Sequence, residues 1–177
     1  VSSDRNDGEA NMLTLSHIWR PANQTELSTR LRKGSFSRDL RGSLLGIDSN
    51  LANQPGGVKP TLGNFGPNTA FTRRDNLPKI NDVATLYIQS DLSKKFEFAG
   101  IKHELQAGVE WAKEAKDSFG YKNQAQGGNN PVGKPGGTFG NPNNGFWRDE
   151  DSRALYLQND YTARSWGVYA HDMVHSN

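Results

Sequence analysis

Alternation of apolar and polar residues dominates the segment IKHELQAGVEW at 101–111. The odd-numbered positions (one parity) are apolar except for His103, and the even-numbered positions (the other parity) are polar or glycine. The apolar residues are Ile101, Leu105, Ala107, Val109 and Trp111, and the other parity holds Lys102, Glu104, Gln106, Gly108 and Glu110. This period of two predicts a strand with one apolar and one hydrated face, and about 9–11 residues is the length that a tilted strand needs to cross a bilayer. We therefore expect the two sets to lie on opposite faces of a sheet.

The same alternation recurs less regularly in four other segments. Together with the first segment they predict five strands, at 12–20, 25–47, 81–92, 101–115 and 164–174. In the second of these the apolar parity changes between Leu31 and Phe36. Such a change predicts a bulge or twist near Gly34, because an inserted residue reverses the facing of everything after it.

The connections between these strands alternate between short and long. The short ones are PANQ at 21–24 and a few residues within 94–100, whereas the long ones cover 48–80 and 116–163. Of the 26 residues from 120 to 145, 17 are Gly, Asn or Pro, which predicts an irregular loop. Antiparallel strands with tight turns on one side and long polar loops on the other are typical of outer-membrane β-barrels.

These features predict an all-β fold, an antiparallel transmembrane β-barrel to which this chain supplies about five strands. The long connections at 48–80 and 116–163 would be extracellular loops. A barrel that encloses a plug takes about 22 strands. We therefore expect residues 1–177 to be part of one outer-membrane barrel domain whose plug and remaining strands lie outside them.

Composition removes several other classes of protein. Only 33% of the residues are apolar and 19 are Gly, which is little material for a closed core. The net charge of +2 and the aromatic content of 10% do not fit intrinsic disorder. No run approaches the roughly 18 apolar residues of a membrane helix, so a helical membrane protein is excluded. The absence of cysteine removes disulfides and thiolate metal sites.

Short motifs give little support for enzymatic chemistry. GNNPVGK at 128–134 has the spacing of a phosphate-binding loop, but Pro135 stands where a Ser or Thr would hold magnesium. His171 and His175 are four residues apart on a predicted strand, where two ordinary polar residues are a better interpretation than a metal pair. We expect no enzymatic activity, no catalytic residue and no metal site.

Three segments resemble the TonB-dependent outer-membrane siderophore receptors, especially the catecholate type. They are TELSTRLRKGSFSRDLRGS at 25–43, FEFAGIKHELQAGVEWAKEAKDSFGY at 96–121 and WGVYAHDMV at 166–174. The middle segment has the short turn of that family, a strand ending in Ala-Gly-Val-Glu and a polar exit toward an extracellular loop. The resemblance covers most of residues 10–174. The plug domain, the TonB-contacting segment and the aromatic C-terminal strand of the family have no counterpart in residues 1–177.

The resemblance implies a location in the cell outer membrane and TonB-dependent active transport of ferric siderophores. The siderophore would carry the iron, so no cofactor of the protein itself is expected. The implied partners are a ferric siderophore, the TonB complex acting through the plug, and outer-membrane lipid with lipopolysaccharide. Nucleic acid is not among them.

Candidate ligand-binding residues lie in the two long loops. Ferric catecholates are anionic and aromatic, cationic side chains attract such ligands, and aromatic rings stack on them. The first loop offers Phe65, Phe71, Arg73 and Arg74, and the second offers Phe146, Trp147 and Arg148. An equally simple interpretation is that these residues only solubilise and pack the loops.

Two other classes of function remain open from the sequence. One is a barrel with another cargo, such as a porin or a cobalamin or haem receptor, and the other is a soluble β-rich binding or adhesion module. A membrane barrel requires a continuous apolar band about 25 Å tall on the outward face of the sheet. A soluble module would bury the same side chains.

Overall fold

The computed structural model describes residues 1–75, 78–129 and 132–175, and in these ranges the chain is built from β-strands. In chain order the strands are β1 (Arg5–Ala22), β2 (Thr25–Arg41), β3 (Ser43–Ile47), β4 (Ala70–Asp75), β5 (Lys79–Phe98), β6 (Ile101–Tyr121), β7 (Gly137–Thr138) and β8 (Leu155–His175). Single 3₁₀ turns lie in the connections, at Leu51–Asn53, Pro55–Gly57 and Gln124–Gln126. None of the helices described is long and apolar enough to cross a membrane.

The strands form two antiparallel sheets. The larger has five strands in the order β1-β2-β5-β6-β8, and the smaller has three in the order β3-β4-β7. The larger sheet is not closed on itself within this chain. The all-β antiparallel fold predicted from the sequence is confirmed.

The strands are longer than the alternation of residue types predicted. β6 continues to Tyr121 and β8 begins at Leu155, so the irregular part of the predicted loop 116–163 is shorter than expected, and the predicted loop 48–80 contains β4. The predicted strand 25–47 is divided at Gly42, where the chain leaves one sheet for the other, and β2 runs through Gly34 without interruption. At the start of β8 the apolar residues Leu155, Leu157 and Tyr161 fall on the opposite parity to Trp166 and Val168, so the alternation does not continue in phase before residue 164.

Residues with a left-handed backbone conformation, that is with positive φ, form the short connections between the long strands. Between β1 and β2 the backbone at Gln24 has φ of 57°. Between β5 and β6, Ala99 and Gly100 have φ of 51° and 77°, which is the sign pattern of a type I′ hairpin turn. The twist of such a turn matches that of the flanking strands, so β5 and β6 pair directly from Phe98 and Ile101 onward.

The residues fall into two compact units. The loop unit comprises Val1–Gly8, Arg38–Asn81 and Ser118–Asn159. The sheet unit comprises Glu9–Ser37, Asp82–Asp117 and Asp160–Asn177. The loop unit contains the three-stranded sheet, whereas the sheet unit contains both short turns.

Side-chain contacts between neighbouring strands of the sheet unit show that every second residue of each strand lies on a shared polar face. The Tyr87 hydroxyl donates to Glu110 Oε2 at 2.8 Å. Tyr169 packs so closely over Gly108 that a Cβ added to the glycine would lie 2.4 Å from the ring. Both β6 residues belong to the polar parity of 101–111. Its apolar parity therefore lies on the opposite face, as the alternation predicted.

The opposite face of the sheet unit is apolar and exposed. Trp166 is 79% exposed, Val168 67% and Val109 52%. Among the described residues the only buried hydrophobic side chains are Ala70 and Phe71, and both are in the loop unit. The described chain therefore provides no core beneath the apolar face of its main sheet.

Tyr169 and Gly108 supply a test of the packing on the polar face. We expect Gly108→Ala in the full-length protein to lower the free energy of unfolding by about 1–3 kcal/mol, because the added methyl group meets the ring of Tyr169 and forces a shift. Gly46→Ala is the matched control, since its Cβ would meet nothing closer than Thr72 Oγ1 at 3.8 Å. Reversible denaturant titrations measure both, and equal costs would contradict the close approach of Tyr169.

Candidate functional site

The loop unit is organised by the three-stranded sheet. β4 lies at its centre. On one edge it pairs with β3, so that Arg74 lies opposite Leu44 and Arg73 lies opposite Leu45. On its other edge β4 pairs Phe71 with Gly137 of β7. This register places Phe71 and Arg73 on one face of β4 and Arg74 on the other, because successive side chains in a strand alternate.

Three phenylalanines pack around the centre of this sheet. The ring centroid of Phe139 lies 4.9 Å from that of Phe65 and 5.3 Å from that of Phe71, both in tilted arrangements. Phe71 is only 2% exposed, whereas Phe65 is 50% exposed. Gly137 lies against this cluster, since a Cβ there would be 3.3 Å from the Phe71 ring. The cluster thus has a buried base at Phe71 and an accessible rim at Phe65.

Arg73 is buried and its guanidinium is occupied by the loop that follows β7. Its nitrogens donate to the carbonyl of Asn143 at 3.1 Å, to Asn144 Oδ1 at 2.5 Å and to the carbonyl of Pro142. The guanidinium also lies 5.0 Å from the centroid of the Phe71 ring. Arg73 therefore holds the segment 142–144 in place, and both terminal nitrogens of its guanidinium are occupied by these contacts.

The other predicted residues differ in their access to solvent. Arg74 is exposed and, in the described part of the chain, makes no hydrogen bond or ion pair through its side chain. Trp147 is 63% exposed. Phe146 is partly buried, and its backbone carbonyl accepts from the amide of Ser2 at 3.0 Å. Of the seven predicted residues, Phe65, Arg74 and Trp147 are thus the ones whose side chains reach solvent most directly.

Arg148 belongs to a buried network of ion pairs and not to an open binding surface. It contacts Asp75 at 2.5 Å and Glu150 at 2.6 Å. Lys134, whose side chain is 1% exposed, lies 2.8 Å from Asp4, 3.5 Å from Asp75 and 3.6 Å from Glu150. The network therefore joins the segment before β1, the end of β4 and the connection between β6 and β8.

The charges of this network shift the pKa of its carboxyls. Burial alone would raise the pKa of Asp4, but hydrogen bonds from Lys134 and Ser43 hold it below its ordinary value of 3.8. Burial also opposes ionisation of Asp75, and Arg148 outweighs it and lowers that pKa below 3.8. A depressed pKa means that these carboxylates stabilise the fold above the ordinary pKa and lose that contribution as the pH falls through the lowered values.

Sequence reasoning missed this network. Lys134 is the lysine of the GNNPVGK segment, where it was considered only as part of a phosphate-binding loop. Its partner Asp4 lies 130 residues away along the chain, so no local pattern marks the pair.

Asn130 and Pro131 of that segment, and Asn76 and Leu77 of the loop 48–80, lie outside the described residues.

The polar face of the sheet unit carries a second cluster of polar groups. Tyr169 donates to Asp91, and Gln89 also donates to Asp91, at 3.1 Å. His175 Nε2 lies 3.6 Å from Glu104. Within the described ranges no group of three or more His, Asp or Glu side chains has the geometry of a metal site. The sequence-based expectation that the protein holds no metal stays a prediction.

The fold is similar to that of a solved import receptor. No protein-family model matches the chain, and no curated protein matches it in sequence. The ferric-catecholate import receptor Fiu from E. coli K12 in its closed form matches with a TM-score of 0.69 and 19% identity, over 98% of this chain and 22% of the receptor chain. Its open form matches with a TM-score of 0.66 and 18% identity, over 98% and 24%. The chain thus spans less than a quarter of the length of these receptor structures.

Lys134 should be the residue on which the order of the loop unit depends most. We expect Lys134→Met in the full-length protein to cost about 3 kcal/mol of local stability, because it leaves Asp4, Asp75 and Glu150 close together with less positive charge among them. Hydrogen exchange of the backbone amides in 132–154 measures this as lost protection. Lys59→Met is the matched control, since Lys59 is exposed. Equal protection in both variants would show that the buried ion pairs do not hold the loop.

Proposed function

We propose that this chain is part of an outer-membrane receptor that takes up ferric siderophores by TonB-dependent active transport. The observation that carries the proposal is the exposed apolar face of the sheet unit, which the described chain does not cover. The likeness in fold to a ferric-catecholate import receptor supports the siderophore as cargo. The resemblance of segments such as 96–121 to this receptor family supports the same cargo.

The dimensions of the apolar face support its contact with a bilayer. The apolar parity of β6 extends over the ten residue steps from Ile101 to Trp111. At about 3.3 Å per residue this is roughly 33 Å along the strand. A tilt of about 40° reduces the vertical height to roughly 25 Å, which is the height of the apolar band on outer-membrane barrels. The polar face would then line the aqueous interior. On this face Tyr87 donates a hydrogen bond to Glu110, and Tyr169 donates one to Asp91.

The loop unit supports capture of an anionic, aromatic ligand. Arg74, Trp147 and the rim residue Phe65 offer one cation and two aromatic faces to solvent. Arg73 and Phe71 would act indirectly, because they pack the loops that carry the accessible residues. The siderophore would hold the iron, and the TonB complex would supply energy through a plug domain outside residues 1–177.

Arg74 gives the test of ligand capture. We expect Arg74→Ala in the full-length receptor to slow association of a ferric catecholate roughly threefold at low ionic strength, because the side chain attracts an anionic ligand. The difference should vanish at about 1 M salt, where the Debye length is about 3 Å. Stopped-flow quenching of protein fluorescence measures the association rate. Arg20→Ala removes the same charge beside the first short turn and serves as the control.

Three outcomes would each contradict a different part of the proposed function. Equal association rates for the parent and Arg74→Ala at low salt would remove Arg74 from capture but leave the receptor function intact. Binding of cobalamin or haem in place of ferric catecholates would replace the cargo. A full-length protein that is monodisperse without detergent would favour a soluble β-rich binding or adhesion module.

A further inference from the structure

Asn144 and Gly145 are the one Asn-Gly pair in the sequence. Both residues are exposed and lie in a turn between β7 and β8. Within the described ranges the N–H of Gly145 donates no hydrogen bond, and a Cβ added to this residue would meet nothing within 4 Å. A peptide nitrogen that follows asparagine can attack the side-chain amide carbon, and glycine obstructs the attack least because it has no side chain. The pair therefore places a nucleophile and an electrophile on adjacent, accessible residues.

Arg73 holds the side-chain amide of Asn144 in an orientation that activates its carbon. The guanidinium Nη2 donates to Asn144 Oδ1 at 2.5 Å. A guanidinium can only donate, so the atom that faces it is the amide oxygen and not the amide nitrogen. The positive charge of Arg73 therefore lies where an oxyanion forms when the amide carbon is attacked, and a donor in that place lowers the barrier.

The backbone of the pair is not held in a strand ladder. Neither Asn144 nor Gly145 belongs to a strand, so no ladder hydrogen bond has to break before the nitrogen turns toward the side chain. Asp7 and Gly8 can undergo the same ring closure from the acid, but they lie within β1, where the backbone is extended and paired. The two pairs therefore differ in reactivity because of the fold and not because of the glycine.

We propose that Asn144 is a site of spontaneous deamidation in the folded protein and that Arg73 promotes the reaction. The Gly145 nitrogen gives its proton to solvent and bonds to Cγ of Asn144. The bond from Cγ to Nδ2 then breaks, and the nitrogen takes a proton from solvent and leaves as ammonia. Water opens the resulting succinimide ring at one carbonyl to give aspartate, or at the other to give isoaspartate. The reaction uses only water and residues of this chain, so it holds whatever the cargo of the receptor.

Either product changes the loop that carries Trp147. Aspartate places a carboxylate against the guanidinium of Arg73, where a charge-assisted hydrogen bond replaces a neutral one. Isoaspartate adds one atom to the backbone between two anchors. One anchor is Arg73, which bonds the carbonyls of residues 142 and 143, and the other is the Ser2 hydroxyl, which donates to the Phe146 carbonyl at 2.9 Å. At least one anchor must then shift, and with it the exposed ring of Trp147.

The test follows deamidation in the folded full-length protein at mildly alkaline pH. Peptide mass spectrometry measures the conversion of amide to acid, and electron-transfer fragmentation separates aspartate from isoaspartate. The parent should convert at Asn144, whereas Asn141 and Asn143 in the same segment should persist. Asn141 precedes a proline, which has no N–H to attack, and Asn143 precedes a residue with a side chain. Asp7 in β1 should likewise form no isoaspartate.

Gly145→Ala is the matched variant for the nucleophile. Gly145 has neither a positive φ nor a close neighbour, so alanine fits there without strain. We expect the variant to convert about tenfold more slowly than the parent, because the methyl group obstructs the attack. Persistence of Asn144 in the parent, or equally fast conversion in Gly145→Ala, would overturn the deamidation site.

Arg73→Met separates activation of the amide from anchoring of the loop. Loss of the donor should slow conversion about tenfold, whereas loosening of the segment alone would speed it. Arg73→Lys keeps a charged donor and should restore most of the parent rate. Equal or faster conversion in Arg73→Met would overturn the part assigned to Arg73.

Discussion

A β-strand shows successive side chains to opposite faces, so a sheet whose two faces differ in polarity must lie between two different surroundings. In the sheet unit this constraint is strict: Tyr87, Glu110 and Tyr169 share one face, and Val109, Trp111 and Trp166 share the other. The described chain buries almost none of its hydrophobic side chains, so the apolar face must be covered by something other than this chain. A bilayer solvates such a face, and in a closed barrel the paired strands leave no backbone group unsatisfied within it.

The two units are stabilised by different interactions, which suits the roles we propose for them. The polar face of the sheet unit uses hydrogen bonds between side chains and one close aromatic contact on Gly108. The loop unit has a small aromatic cluster around Phe71 and a buried network centred on Lys134. Removing one member of a buried ion pair is costly, so the network fixes the geometry of long connections that are rich in Gly, Asn and Pro. Such preorganisation lowers the entropy that a binding loop loses when it captures a ligand.

The sequence predicted those features that repeat along the chain and missed those that depend on distant residues. The alternation in 101–111 predicted which side chains of β6 share a face, because the contrast between the two faces is repeated at every second position. It did not predict strand beyond 115, nor before 164, where Leu155, Leu157 and Tyr161 are out of phase with Trp166 and Val168. It also treated Arg73 and Arg74 as equivalent, although β4 turns the first into the loop core and the second to solvent. The partners of Lys134 have no sequence signature, since they come from three separate segments.

The central claim is that the apolar face of the sheet unit lies in lipid, and two arginine substitutions on β6 test it most directly. Val109 and Gln106 are three residues apart on opposite faces. In reversible refolding of the full-length protein into lipid bilayers, Val109→Arg should cost roughly 2–4 kcal/mol if residue 109 lies near the bilayer midplane, because arginine is then placed in hydrocarbon. Gln106→Arg should cost much less, since that face is hydrated. Equal costs, or a larger cost for Gln106→Arg, would contradict the account.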